Sequence, residues 1–270
     1  MEKMRIGCET YTWAMSGDTY KNRLEHIIEV TSKAGFESIE PDTGFMTNFT
    51  DPVLFKEVLD KHGIELSVLC HVEDWRNPQE TVAEKLNADQ WIEFMKHFPD
   101  AILLLVQMPG QDRNDLKERQ QNLLSCVNEI ARRASDEGIV CSYHPNSPMG
   151  SIYRTEEDYE ILLNGLDNKV IKYTPDVGHM AKGGMDPLKV IKQYRELVNC
   201  IHYKDMFQDG RWARMGEGII DFEGITRYLK ETDFGGWIIV EDECEEAITD
   251  PDGITMKDGV YIDKVLKPLL

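Results

Sequence analysis

Apolar positions along the chain follow two alternating periods. Short runs rich in β-branched and aliphatic residues occur at 6–12, 37–40, 66–70, 102–106, 139–143, 170–173, 198–203 and 237–240. Between most of them the apolar residues recur at helical spacing. Leu24, Ile27, Ile28 and Thr31 form one stripe; Leu116, Leu123, Leu124, Val127, Ile130, Ala131 and Ala134 form a longer one. Segments 51–62, 80–98, 156–164, 186–197 and 221–230 read as further helices. Asp51-Pro52 and Asp186-Pro187 pair an N-cap carboxylate with a first-turn proline. Gly35, Gly63 and Gly138 stand where a helix gives way to a strand.

Eight strand–helix repeats, starting about 30 to 40 residues apart, predict an α/β fold closed as a (β/α)8 TIM barrel. The chain has no low-complexity linker or composition break, so a single domain over 1–270 is expected. A doubly wound open sheet would call for a glycine-rich phosphate loop after the first strand. That position reads Glu9-Thr10-Tyr11-Thr12-Trp13 instead.

Charge then narrows the function. There are 49 acidic against 30 basic residues, a formal net charge of −19. Nucleic-acid backbones and anionic membranes both require basic surface, so neither is an expected partner. No apolar stretch approaches membrane-span length. The segment Met1-Glu2-Lys3-Met4-Arg5 runs into the first strand without a signal-peptide pattern, which predicts a cytoplasmic protein. From Glu231 to Leu270 there are 11 Asp and Glu against 3 Lys and Arg, and this acidic end reads as a solvated, mobile tail. The six cysteines lack CxxC spacing and are expected to be reduced, mostly buried thiols.

Barrel enzymes gather their chemistry where strands end. Those ends carry Glu40, His71, Gln107, Tyr143-His144, Asp176 with His179 behind it, His202 with Lys204, and Glu241. His144, Asp176, His202 and Glu241 fall on four successive strands. Two imidazoles and two carboxylates suit one divalent ion of borderline character. Manganese is the first expectation; cobalt, magnesium, zinc and iron are alternatives.

In this arrangement the chain resembles the xylose isomerase-like superfamily of sugar isomerases, epimerases and keto-polyol dehydratases. The segments that carry the likeness are Ala34-Gly35-Phe36-Glu37-Ser38-Ile39-Glu40, Thr174-Pro175-Asp176-Val177-Gly178-His179 and Ile201-His202-Tyr203-Lys204-Asp205. Met215-Gly216-Glu217-Gly218 with Asp221-Phe222, and Gly236-Trp237-Ile238-Ile239-Val240-Glu241, complete it. The resemblance implies a barrel with one divalent metal and Asp176, His202 and Glu241 among its ligands.

One departure redirects the chemistry. Where epimerases of the superfamily carry a strand-5 glutamate that is both ligand and base, this chain reads Ser142-Tyr143-His144-Pro145. Moving a proton between two faces of one carbon needs two matched bases, and one of that pair is missing here. The Tyr-His pair and the following Gly150-Ser151-Ile152 are closer to 2-keto-myo-inositol dehydratases and to barrel subunits that eliminate aglycones from 3-keto-glycosides. The expected activity is metal-dependent enolisation of a keto-sugar or keto-polyol followed by β-elimination. Sugar or sugar-phosphate isomerisation or epimerisation is the alternative, and an endonuclease IV-like nuclease a remote one. Either His144 or Glu241 is the base, and Lys204 or His179 assists the oxyanion or leaving group.

Around that centre, Trp13, Trp75 and Trp212 are expected in loops, where they can stack on a sugar or pack the loop. Glu40, His71 and Gln107 are candidates for substrate hydroxyls, and Arg211 or Arg214 for a further substrate contact. Glu217 reads as a loop brace. Asp242 and Glu243 are expected to point away from the cavity. A homo-oligomer and a complex with a smaller partner subunit are both compatible with this reading.

Overall fold

The computed structural model describes residues 3–270; Met1 and Glu2, which open the N-terminal segment, lie outside the described residues. The strands are β1 (Arg5–Glu9), β2 (Ser38–Glu40), β3 (Glu65–Leu66), β4 (Val68–Glu73), β5 (Ile102–Gln107), β6 (Val140–His144), β7 (Ile171–Tyr173), β8 (Cys200–Tyr203), β9 (Asp205–Met206), β10 (Trp212–Ala213) and β11 (Trp237–Val240). The chain forms two compact units, Met1–Ser67 with Asn199–Leu270, and Val68–Val198.

The first unit holds a parallel sheet in the order β3-β2-β1-β11-β8. Its strands are short and almost wholly buried, as parallel strands covered by helices must be. The helices Leu24–Lys33, Pro52–His62 and Phe222–Glu231 belong to it. The second unit is a parallel sheet in the order β4-β5-β6-β7. Its long helix Leu116–Asp136 buries Leu123, Val127, Ile130, Ala131 and Ala134 of the stripe read from the sequence, while Leu116 and Leu124 are half-buried.

Two elements differ from the pattern. The run at 6–12 is a strand only to Glu9; Tyr11–Ala14 is a short helix. Thr10 makes the turn: its backbone N–H donates to the Glu40 carbonyl, and its hydroxyl accepts from Asp42 N. The β-branched Thr10 and Thr12 imitate strand residues while serving a turn.

The acidic C-terminal end is not a mobile tail. Asp250 accepts from Gly253 N, Pro251 follows, and a helix runs over Pro251–Tyr261 before widening into a π-helical stretch through Ile262–Leu266. Ile254, Asp258, Ile262 and Leu266 are among its buried positions. Gly259 lies so close to the helix Leu24–Lys33 that a Cβ there would stand 2.1 Å from the Ala34 carbonyl oxygen. Burial lifts the Asp258 carboxyl well above the usual range, and the charge of Asp242 lifts it further.

All six cysteines are buried. Among the described residues, no helix is long and apolar enough to cross a membrane.

Candidate active site

In the first unit, charged side chains collect at the carboxyl ends of the strands. Register pairs Glu9, the last residue of β1, with Glu40, the last of β2. His202 lies within β8, and Glu241 follows β11, tied in by its N–H to the Tyr203 carbonyl at 3.1 Å. His202 is buried among carboxylates: Nε2 is 3.1 Å from Glu40 Oε2, and Nδ1 lies 3.4 Å from Glu241 Oε2 and 3.8 Å from Glu9 Oε2. Burial by itself would lower the imidazole pKa. The charge of Glu40 and the hydrogen bonds to Glu241 and Glu40 outweigh it and raise the value to about 10. Glu9 is pushed well above the carboxylate range, first by burial and then by repulsion from Glu241 and Glu40.

Lys204 shares a face of the chain with His202, two residues away. Its ammonium is fully buried, 2.5 Å from Glu241 Oε1 and also bonded to Glu243. Glu243 therefore does not turn away to solvent. The chain leaves extended geometry after Val240, so strand alternation no longer governs it. Burial raises the Glu243 carboxyl to about 7, with Lys204 pulling it down and Glu241 pushing it up. Lys204 Nζ also stands 4.7 Å from the centroid of the Trp212 ring, a cation–π contact.

Trp212 owes that position to the hairpin of β9 and β10. Asp205 organises the hairpin by accepting backbone N–H groups from Met206, Gly216, Gly218 and Ile220. The two expected substrate arginines are otherwise engaged. Arg211 is a surface side chain paired with Asp209, and Arg214 is bonded to Glu217. Trp13 is corrected as a sugar platform: it lies in the helix Tyr11–Ala14 with no exposed surface, its Nε1 donating to Asp252.

The second unit contributes a separate constellation. β6 ends at His144, and Asp176 follows β7 as the cap of the helix Val177–Lys182, accepting from His179 N at 2.6 Å. His144 Nε2 is 3.6 Å from Asp176 Oδ2. The His144 and His179 rings meet edge to face at 5.7 Å, and Ser147 Oγ lies 2.7 Å from His179 Nδ1. Gln107 donates to the Asp74 carbonyl, which makes it a brace at the end of β5.

His71 is buried beside Trp75, and neither ring nitrogen has a hydrogen-bond partner among the described residues. Burial holds its pKa down at about 4, so the ring is neutral. Trp75 is itself fully buried with a positive φ of 43°, its N–H donating to Glu84. It packs the loop.

The model of one family, the xylose isomerase-like TIM barrel, matches residues 28–260. The chain belongs to that family. Its fold class is accordingly the (β/α)8 barrel expected from the sequence. A crystal structure of the IolI protein with a zinc atom resembles it with a TM-score of 0.76 at 18% identity, covering 98% of this chain and 99% of that one. Among curated relatives, the inosose dehydratase of Clostridium beijerinckii is 29% identical over 164 residues, 54% of each chain. That match spans about half of the relative's length. The inosose dehydratase of Geobacillus kaustophilus is 23% identical over 302 aligned positions, 98% of this chain and 96% of that protein.

Three residues of these constellations escape the sequence reading. Glu9 is missed because the first strand ends at Glu9 rather than at Thr12. Glu243 is masked by the acidic run around it. Ser147 carries no pattern signal at all.

Proposed function

We propose that this protein is a divalent-metal-dependent lyase that enolises a keto-polyol of the inosose kind and expels a group from the β carbon. The observation that carries this reading is the charge imbalance around His202. Four buried or largely buried carboxyls, Glu9, Glu40, Glu241 and Glu243, face two cationic side chains, His202 and Lys204. Among the described residues, Glu9 Oε2 and Glu40 Oε1 have no hydrogen-bond donor. Such an arrangement seeks a cation. Each unit offers buried donors with the chemistry to hold one, His202 and Glu241 in the first and His144 and Asp176 in the second. Manganese is the first choice, and zinc is what the IolI relative holds.

A bound divalent ion would polarise the substrate ketone as a Lewis acid and make the neighbouring C–H acidic. The chain's own groups supply the rest. Glu241 or His144 takes the α proton. The C–H electron pair becomes the new double bond as the β carbon–oxygen bond breaks, and the departing oxygen collects a proton, so a hydroxyl leaves as water. Lys204, an ammonium clamped by Glu241 and Glu243, is the proton source within the first unit. His71, whose two ring nitrogens have no hydrogen-bond partner among the described residues, is suited to a substrate hydroxyl.

The test is incubation with 2-keto-myo-inositol in D2O with Mn2+. The expected result is deuterium at the α carbon, new ultraviolet absorbance from a conjugated product, and loss of both with chelator. Deuterium without new absorbance would replace the lyase by an isomerase or epimerase. No exchange on any keto-polyol or 3-keto-glycoside would overturn the reading.

A further inference from the structure

We propose that His71 and Trp75, with the buried carboxyl oxygen of Asp74, form a polar subsite in the second unit for neighbouring hydroxyls of an uncharged polyol. The proposal rests on the function proposed above only for the keto group carried elsewhere on that ligand.

His71 lies near the end of β4, and Asp74 and Trp75 open the loop that follows it. His71 is 2% exposed and Trp75 0%, and their rings meet edge to face with centroids 5.9 Å apart. Four buried polar atoms at this place have no hydrogen-bond partner among the described residues: both ring nitrogens of His71, Trp75 Nε1 and Asp74 Oδ1. Such atoms are rare, because each forfeits its bonds to water and gains none in return. Packing alone would be served as well by Leu at 71 and Phe at 75, which carry no buried polar atom. The polar atoms equip this corner to bind a group that supplies their missing partners.

The loop is held in the conformation that presents Trp75. A bulky residue at a φ of 43° is strained, and such strain persists only where the surroundings enforce it. Here they do. The Trp75 N–H donates to Glu84 Oε1 at 2.9 Å, and Glu84 is itself fixed by its capping box with Thr81. The Asp74 carbonyl accepts from Gln107 Nε2 at 3.1 Å, and the Arg76 carbonyl from Asn122 Nδ2 at 2.7 Å. Gln107 thus serves the subsite through the loop.

The balance of donors and acceptors names the ligand. Trp75 Nε1 only donates, Asp74 Oδ1 accepts, and a neutral imidazole does one of each. Hydroxyls, which both donate and accept, match that set. A phosphate accepts only and calls for cations. The Arg76 guanidinium beside the loop is engaged by Asp74 Oδ2 at 2.6 Å. Burial is the one influence on the His71 pKa, so no charged group among the described residues bears on that ring.

The experiment follows the indole N–H of Trp75 in 1H–15N spectra of the full chain during titration with myo-inositol, an unreactive polyol. The signal is assigned by its loss in Trp75→Phe. Its proton should move downfield and saturate as Nε1–H finds an acceptor. With 2-keto-myo-inositol, Trp75→Phe should raise KM about tenfold, the loss of one buried hydrogen bond, with kcat changed less than about threefold. A Trp75 signal that stays in place through the titration overturns the proposal, as does tighter binding of a myo-inositol monophosphate than of myo-inositol. If the signal moves while no keto-polyol is turned over, the subsite stands and the lyase reading falls. Turnover with an unmoved Trp75 signal does the reverse.

Discussion

Lys204 shows how much a single side chain carries in this molecule. Its ammonium is completely buried and bonds to both Glu241 and Glu243. Removing one member of a buried ion cluster leaves charge without compensation, at a cost of about 3–5 kcal/mol. Lys204→Met should lose that much unfolding free energy by urea denaturation near neutral pH. A loss below about 1 kcal/mol would show that the carboxyls compensate by protonation. His71 makes the opposite point, since it is buried neutral and its pKa falls from 6.5 to about 4. A histidine with a depressed folded pKa contributes fully above about pH 6.5, and that contribution is lost as pH falls toward 4. Wild type should therefore lose about 2 kcal/mol more than His71→Leu between pH 7 and pH 5. Equal losses in the two proteins would mean that the ring is not held neutral.

At the scale of elements, the hairpin of β9 and β10 depends on one carboxylate. Asp205 accepts four backbone N–H groups, and burial raises its carboxyl while those amides pull it down. Asp205→Ala should speed amide hydrogen exchange at Gly216, Gly218 and Ile220 by about tenfold or more. Unchanged exchange there would remove Asp205 from its organising role. Most elements were legible in the sequence because burial enforces their period. The stripe of Leu116–Asp136 and the eight apolar runs are direct records of packing. Two misreadings have physical causes. Thr10 and Thr12 have strand-like side chains but serve a turn and a short helix. The terminal helix Pro251–Tyr261 repeats the Asp-Pro start of the helices at Pro52 and Pro187, yet its buried face includes Asp258. A carboxyl on the inner stripe breaks the apolar pattern and hides the helix within an acidic run. The polar side chains at strand ends, Glu40, His144, Asp176, His202 and Glu241, were legible because topology decides where they stand. Glu243 and Ser147 depend on loop geometry, which hydrophobic period does not encode.

For the whole molecule, the net charge of −19 is more than a solubility feature. Part of it is buried around His202, where acid stored without enough cation favours uptake of a divalent ion. A ligand that binds only the folded chain adds about 2.7 kcal/mol at a concentration one hundred times its Kd. In a chain of this size that should raise Tm by about 5–10 °C with Mn2+, reversed by chelator. The most direct measurement is the metal content of purified, dialysed protein after Mn2+ loading, for wild type and for Asp176→Ala and Glu241→Ala. Our account predicts about one ion per wild-type chain and none retained by either variant that remains folded. A metal-free wild type, or variants that hold the ion as tightly as wild type, would contradict it.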